Sequence, residues 1–256
     1  MQFSRIIVYS YPRTGSMWVY NILREIVQLC RYDIIPKRIP KSDKEMLKIH
    51  KNNLDIKNKK IISIIKVHTL LDKYQLKDAF IFMTKRDPRD SLISYMRFMK
   101  VKNWDIVHKL EHISGYIDSV KHLRNTINSQ FFLEIDYKDI TLRPINLIMK
   151  ILNFLKIDLK EDQIIDISKK YSKDSVKKMI EKKDLDIKKK LAKNEKVSNN
   201  EVVIMSPDNI RAFDENTGFQ SNHVSNYKDG DWNDILASDE IKEINSKFEA
   251  WIEFNN

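Results

Sequence analysis

At 256 residues, 42% of them hydrophobic, the chain can bury one sizeable core or two small ones, which excludes wholesale disorder. Its formal net charge of +10 favours an anionic partner without choosing among nucleotide, acidic glycan, membrane surface and nucleic acid, and the lone cysteine, Cys30, excludes internal disulfides and thiolate metal clusters. No apolar run approaches the roughly 20 residues of a membrane helix and the N-terminus enters a strand without a leader-like segment, so a soluble, cytoplasmic, single-domain protein over residues 1–256 is expected.

Residues 5–10 (RIIVYS) are a short β-branched run and predict the first strand. Residues 17–30 place Val19, Ile22, Ile26 and Leu29 at helical spacing, so the loop between lies at a helix N-terminus, where free backbone N–H groups point at whatever binds. Pro12 stiffens this loop, Gly15 permits close approach of a ligand, Thr14 and Ser16 offer hydroxyls, and Arg13 supplies a fork that matches phosphate. The Walker pattern G-x-x-x-x-G-K-[ST] is absent: Tyr11 and Pro12 stand where a glycine is needed and Met17 follows Ser16, so no Lys–Ser/Thr pair is present to hold magnesium. A plain strand-loop-helix connection capped by Ser16 is the competing interpretation. The run Tyr11-Pro-Arg-Thr-Gly-Ser-Met-Trp18 resembles the 5′-phosphosulfate loop of the sulfotransferase family, Y-P-K-[ST]-G-[ST]-[ST]-W, with Arg13 for the lysine and Met17 for the second hydroxyl.

Residues 31–60 are basic and polar, with Pro36 and Pro40, and predict a connection carrying one helix near 43–50. Residues 61–67 (IISIIKV) predict a strand buried on both faces that ends in Lys66-Val67-His68, at the sheet edge where open α/β folds bind ligands. Residues 80–84 predict the third strand, delivering Lys85, Arg86 and Asp87 to the same edge before Pro88 opens a helix to Met99. Arg86 at a strand end and Ser94 two helical turns on resemble the family's 3′-phosphate motif. As surface residues, Arg86 and Arg89 would simply pair with Asp87 and Asp90 for at most about 1 kcal/mol each.

Residues 104–125 predict a helix with Ile106, Leu110, Ile113, Ile117 and Val120 on one face. His108-Lys-Leu-Glu-His112 in it fits a zinc-protease pattern, but no third ligand can be pointed to, and both imidazoles are expected off the apolar stripe, in solvent. Residues 131–137 predict a fourth strand, at whose end Tyr137 resembles the family's nucleotide-contacting tyrosine or serves as core. Amphipathic helices follow over 142–155 and 163–180, the second capped by Asp158 with Glu161 three residues on. Ser175-Val-Lys-Lys-Met179 resembles a family element beside the adenine, with Val176 in place of an aromatic residue. Residues 181–196 are highly charged and 197–219 turn-rich, so 185–225 is expected to be a mobile loop or lid. Lys228-Asp-Gly-Asp-Trp232 matches the tail of the family's R-K-G-x-x-G-D-W element, but Ser225, Asn226 and Tyr227 occupy the R-K-G positions, leaving Lys228 and Arg211 as candidates to compensate. Residues 239–254 close the chain as a helix with Ile241, Ile244, Phe248 and Trp251 inward.

The resemblance implies an α/β fold: three layers, a mainly parallel central sheet flanked by helices, related to P-loop NTPases. It implies a sulfotransferase that moves a sulfuryl group from 3′-phosphoadenosine 5′-phosphosulfate (PAPS) to a hydroxyl or amine of an acceptor, a carbohydrate first and a small alcohol or phenol second, with no metal. Arg13, Lys66 and His68 would be catalytic, His68 as base. Arg13, Thr14, Gly15, Ser16, Met17, Trp18, Arg86, Ser94, Tyr137, Ser175, Lys228 and Gly230 would bind the nucleotide. A homodimer is compatible with this reading, and nucleic acid is not an expected partner. The alternatives are a P-loop kinase-like nucleotide-binding enzyme and a non-catalytic basic protein that binds anions.

Overall fold

A computed structural model describes residues 4–53, 58, 60–101, 104–127, 129–206, 209–224 and 228–255. In chain order its elements are β1 (Arg5–Tyr9), α1 (Ser16–Leu29), β2 (Asp33–Ile35), α2 (Asp43–Asn52), β3 (Ile61–Val67), α3 (Lys73–Leu76), β4 (Phe80–Lys85), α4 (Pro88–Met99) and α5 (Ile106–Thr126), then β5 (Phe132–Asp136), α6 (Tyr137–Leu142), α7 (Pro144–Leu155), α8 (Glu161–Lys170), α9 (Lys173–Ala192), β6 (Val202–Ser206), β7 (Asn209–Ala212), α10 (Trp232–Ile235) and α11 (Ser238–Asn255). β1 to β5 make a parallel five-stranded sheet in the order β2-β3-β1-β4-β5, flanked by helices. The parallel sheet explains the near-continuous apolar runs, because strands covered on both faces need no polar side: all five residues of β1 are buried, as are Ile62, Ile64 and Ile65 of β3 and Ile81, Phe82 and Met83 of β4.

Register fixes where the chemistry-bearing ends fall. Tyr9 lies opposite Val67 on one side and Met83 on the other, and Lys85 lies opposite Asp136. The loop after β1, His68 after β3, Arg86 after β4 and Tyr137 after β5 therefore emerge at one edge of the sheet, the carboxyl end of parallel strands.

Several expectations are corrected. The connection over 31–60 also holds a strand, β2, short because it is an edge and Pro36 follows it. The fourth strand is trimmed at both ends, and Tyr137 opens α6, capped by Asp136, which accepts from the Lys138 N–H at 2.8 Å. The expected 163–180 helix is two helices, since Ser172 caps a new start. Asp158 is not the cap of the first: Lys160 occupies that position and its N–H donates to the Gln163 side chain at 3.0 Å. The charged run after 181 continues α9 to Ala192, and the turn-rich segment contains the antiparallel β6-β7 pair. No helix among the described residues is long and apolar enough to cross a membrane.

Candidate functional site

The loop over 10–15 is shaped by backbone before side chain. Arg13 and Gly15 both take positive φ, 70° and 95°. α1 starts directly after Gly15 with no side-chain cap, so Ser16 is not the N-cap, and the first-turn N–H groups keep no side-chain acceptor. Gly15 is required twice over: a Cβ there would lie 2.5 Å from Ile140 Cδ1 and 3.0 Å from the Tyr137 ring. Thr14 is fully buried and braces the loop from below, donating to the Tyr11 carbonyl at 2.9 Å and sharing a 2.7 Å hydrogen bond with Thr84 of β4. Ser91 of α4 donates to the Pro12 carbonyl at 2.8 Å, which ties the loop to the second helix at this edge.

Above the loop is a cavity of about 380 Å³ whose walls include Arg13, Gly15, Ser16, Met17, Trp18, Lys66, His68, Arg86, Ser94 and Tyr137. Ten of the residues singled out from sequence thus meet around one space. The Arg13 Nε–H donates to Ser94 Oγ at 3.2 Å, its Nη2 donates to the His223 carbonyl at 3.0 Å, and its guanidinium lies 4.5 Å from the Phe98 ring centre. Burial, and after it the neighbouring Arg86 and Arg211 charges, lower its pKa to about 10, opposed by Tyr137; it is still a cation at neutral pH.

His68 has a fixed tautomer. Its Nδ1 is 2.6 Å from the Ser10 carbonyl oxygen, an acceptor only, so Nδ1 carries the proton and Nε2 carries the lone pair. That lone pair accepts from Lys66 Nζ at 2.8 Å. The His68 backbone N–H donates to Asp43 Oδ2 at 2.6 Å, which ties the start of α2 to the site. Burial first, then the Lys66 cation, push the imidazole down to about 4, so it is neutral at physiological pH. Burial also lowers Lys66, with Asp43 opposing.

Arg86, 6% exposed, also lines the cavity and follows β4, on the far side of β1 from His68. Its Nε and Nη2 donate to Asp229 Oδ1 at 3.0 and 2.8 Å, and its guanidinium lies 4.1 Å from the centre of the Tyr137 ring. Its backbone N–H donates to the Tyr116 hydroxyl at 3.0 Å. Gly230, in the same turn as Asp229, donates its N–H to both oxygens of Asp90, at 3.1 and 3.0 Å. Burial raises Asp90 to about 6, against the pull of Arg86.

Other expected residues fall elsewhere. Trp18 donates its indole N–H to the Tyr171 carbonyl at 3.0 Å and meets Phe219 edge-on at 4.9 Å, so it packs as well as lining the cavity. Ser175 is exposed in the first turn of α9, where its hydroxyl and N–H pair with Ser172. Lys228 is exposed, its N–H held by Asp231. Arg211 donates to the Phe98 carbonyl and lies 4.1 Å from that ring centre, against the residue Arg13 also covers. Ser225, Asn226 and Tyr227 lie outside the described residues. His108 is exposed on Asp105, but His112 is buried among the rings of Tyr11, Tyr95 and Trp104, contrary to the expectation of a solvated pair. No cluster of three or more His, Cys, Asp or Glu suited to a metal occurs among the described residues.

Sequence reasoning missed Asp43, Asp229, Phe98 and His223. The Asp229 signal was present, an acidic residue inside the quoted Lys228–Trp232 tail, whereas His223 and Phe98 carry no local pattern at all. Met205, Phe213, Gly218, Gln220 and His223, all within the segment expected to be a lid, form a wall of the cavity.

The comparisons with known proteins fit this geometry. A search of curated protein sequences finds no match. Among solved structures the chain is similar to mouse sulfotransferase SULT7A1 complexed with PAP (TM-score 0.61, 17% identity, covering 96% of this chain and 83% of that one). It is also similar to retinol dehydratase in complex with androsterone and inactive cofactor PAP (TM-score 0.58, 18% identity, covering 98% and 80%). At such identities these likenesses establish a common fold. The family model described as "Sulfotransferase domain" matches residues 3–253, nearly the whole chain, and the chain belongs to that family.

Proposed function

We propose that the protein transfers a sulfuryl group from PAPS to the hydroxyl of an apolar alcohol or phenol. One observation carries the reading: a neutral histidine with a fixed lone pair, a half-buried lysine and two arginines converge on one cavity beside a helix N-terminus. The donor carries roughly four negative charges, about two of them on its 3′-phosphate. It needs two separate cationic contacts, and Arg13 and Arg86 supply them.

In this reading the acceptor oxygen forms the new bond to sulfur while the bond from sulfur to the bridging phosphate oxygen breaks. The hydroxyl proton passes to His68 Nε2, whose other nitrogen is already committed to Ser10. Lys66, whose hydrogen bond occupies that lone pair, leaves Nε2 before the proton arrives and, with Arg13, neutralises the charge gathering on the departing oxygen. Loop N–H groups at the start of α1 add fixed dipoles.

The acceptor preference comes from the lining. Ile39, Pro40, Met46, Tyr95, Phe98 and Met99 line the same cavity as Lys66 and His68, together with the polar Lys41, Ser42, Asp43 and Gln220. A sugar brings many hydroxyls, each costly to bury without a partner; the apolar and aromatic residues of this lining favour an alcohol on an apolar or aromatic body over a carbohydrate.

The test has two arms. Thermal unfolding is followed with PAPS, PAP or ATP with magnesium; a ligand at a hundredfold its Kd adds about 2.7 kcal/mol, or several degrees at this chain length. Transfer of labelled sulfuryl is then measured to a phenol, an aliphatic alcohol and a disaccharide. Stabilisation by magnesium-ATP but not by PAP refutes the donor assignment. Faster transfer to the disaccharide than to either apolar alcohol refutes the acceptor class.

A further inference from the structure

The recess at the Arg86 end is walled by four aspartates, Asp87, Asp90, Asp136 and Asp229, with Arg86 and Lys138 as its cations. That is an unusual lining for a dianionic phosphate. Asp229 is the decisive member, because it takes the Nε–Nη2 edge of Arg86, the edge with which an arginine grips a phosphate by two parallel hydrogen bonds. Both bonds fall on Asp229 Oδ1, and the Arg86 side chain is 5% exposed against 27% for Asp229. The turn that presents Asp229 is itself anchored: Gly230 donates to both Asp90 oxygens, Lys228 to Asp231, and Trp232 lies under Arg89 with the guanidinium 3.7 Å from the ring centre.

We propose that Asp229 is a specificity-determining residue of the donor site, a built-in carboxylate that competes with the 3′-phosphate of the nucleotide for Arg86. The proposal rests on the PAPS reading above and adds to it the residue that weakens the grip. The Nε–Nη2 edge of Arg86 cannot serve both anions, and a phosphate placed beside Asp229 without displacing it meets like charge from Asp229 and Asp90 at close range. The contribution of the 3′-phosphate to affinity is therefore reduced by the cost of separating Arg86 from Asp229. The 5′ end of the nucleotide, at Arg13 and the loop, is unaffected.

The experiment is calorimetric titration of the full chain with PAP and with adenosine 5′-monophosphate, which lacks the 3′-phosphate. Asp229→Asn is expected to tighten PAP at least tenfold while leaving the monophosphate within twofold, and Asp229→Ala to do the same, which guards against a folding defect peculiar to one replacement. Asp229→Glu keeps a carboxylate and is expected to retain the ratio of the parent protein. Unchanged or weaker PAP binding in Asp229→Asn and Asp229→Ala overturns the proposal, as does equal tightening of both nucleotides or a Glu variant that behaves like the Asn variant. If neither the parent nor any variant binds PAP, the donor reading itself fails and this proposal with it; PAP binding that is merely indifferent to Asp229 sinks the proposal alone.

Discussion

Lys66→Met isolates the electrostatics of His68, the proposed base. His68 is lowered from 6.5 to about 4, which disfavours the imidazolium by about 3 kcal/mol; burial is the larger cause and the Lys66 cation the next. Lys66 Nζ is only 2.8 Å from His68 Nε2, so replacing it with an uncharged side chain of similar length should raise the histidine by about one pH unit or more. It should still stop short of 6.5, because burial remains. The imidazole accepts a proton only when neutral, so activity falls as pH falls through its pKa. The parent profile of kcat/KM is expected to stay flat from pH 8 down to about 5. In Lys66→Met the acid limb moves up by about one pH unit. The height of that profile will drop too if Lys66 assists the leaving oxygen, so the informative quantity is the position of the limb. Titration of the His68 ring by NMR checks it without reference to turnover. A parent limb centred near 6.5, or a limb at the same pH in both proteins, would refute the coupling.

His68→Ala should lower turnover by roughly 10²–10⁴, the usual scale of a general base, with PAP affinity nearly unchanged; full activity in single-turnover assays would remove His68 from the mechanism. His112 is held near 4 by burial alone and its Nε2 has no partner, while the same histidine in the unfolded chain titrates near 6.5. Its titration therefore leaves stability unchanged above pH 6.5 and increasingly destabilises the fold as pH falls towards about 4, a pH-dependent loss that His112→Phe should remove; Tm against pH curves of the same shape for the two proteins would contradict this. Gly218→Ala places a Cβ 2.2 Å from Met17 Cε and 3.0 Å from Ile39 Cγ2 at φ +67°. The left-handed strain should cost about 1–2 kcal/mol, since the Met17 methyl ends a flexible side chain and can swing aside, and a Tm no lower than that of the parent counts against it.

The sheet was legible where strands are covered on both faces. RIIVY, IISIIKV and FIFMTK have no polar side to confuse with a helix stripe, and their observed limits differ from expectation by a residue at most. Edge and satellite pieces were not legible. β2 has three residues and one buried side chain, so no periodicity can form, and the β6-β7 pair packs with Ile187 in a small cluster of its own, apart from the main core. The charged stretch that continues α9 illustrates a different failure. Lys, Glu and Leu are good helix formers, and α9 needs only Val176, Ile180 and Ile187 buried to be held, so charge density pointed to a loop where propensity makes a helix. His112 escaped for a third reason. It lies off the Ile113, Ile117 and Val120 stripe of its own helix, and the rings that bury it come from Tyr11 and Tyr95, supplied by other segments.

At the site, the residues that a local pattern can encode were found, and those that act by long-range closure were not. Gly15 and Pro12 are readable because a tight turn into a helix favours them in sequence, and Arg13 because it stands inside that loop motif; Asp229 and His223 reach Arg86 and Arg13 across separations of 143 and 210 residues. Their arrival gives the two arginines opposite characters. The hydrogen-bond acceptors of Arg13 are a hydroxyl and a carbonyl and its third contact is an aromatic ring, so its full charge is offered to the cavity at the end where a sulfuryl group would transfer. Arg86 already faces a carboxylate. The formal +10 of the chain says nothing about this difference, since one aspartate placed 2.8 Å from a guanidinium outweighs many exposed lysines screened beyond a Debye length of about 8 Å. The field that a bound nucleotide meets is therefore set by closure of the chain on itself, which puts a carboxylate against Arg86 and only neutral acceptors against Arg13.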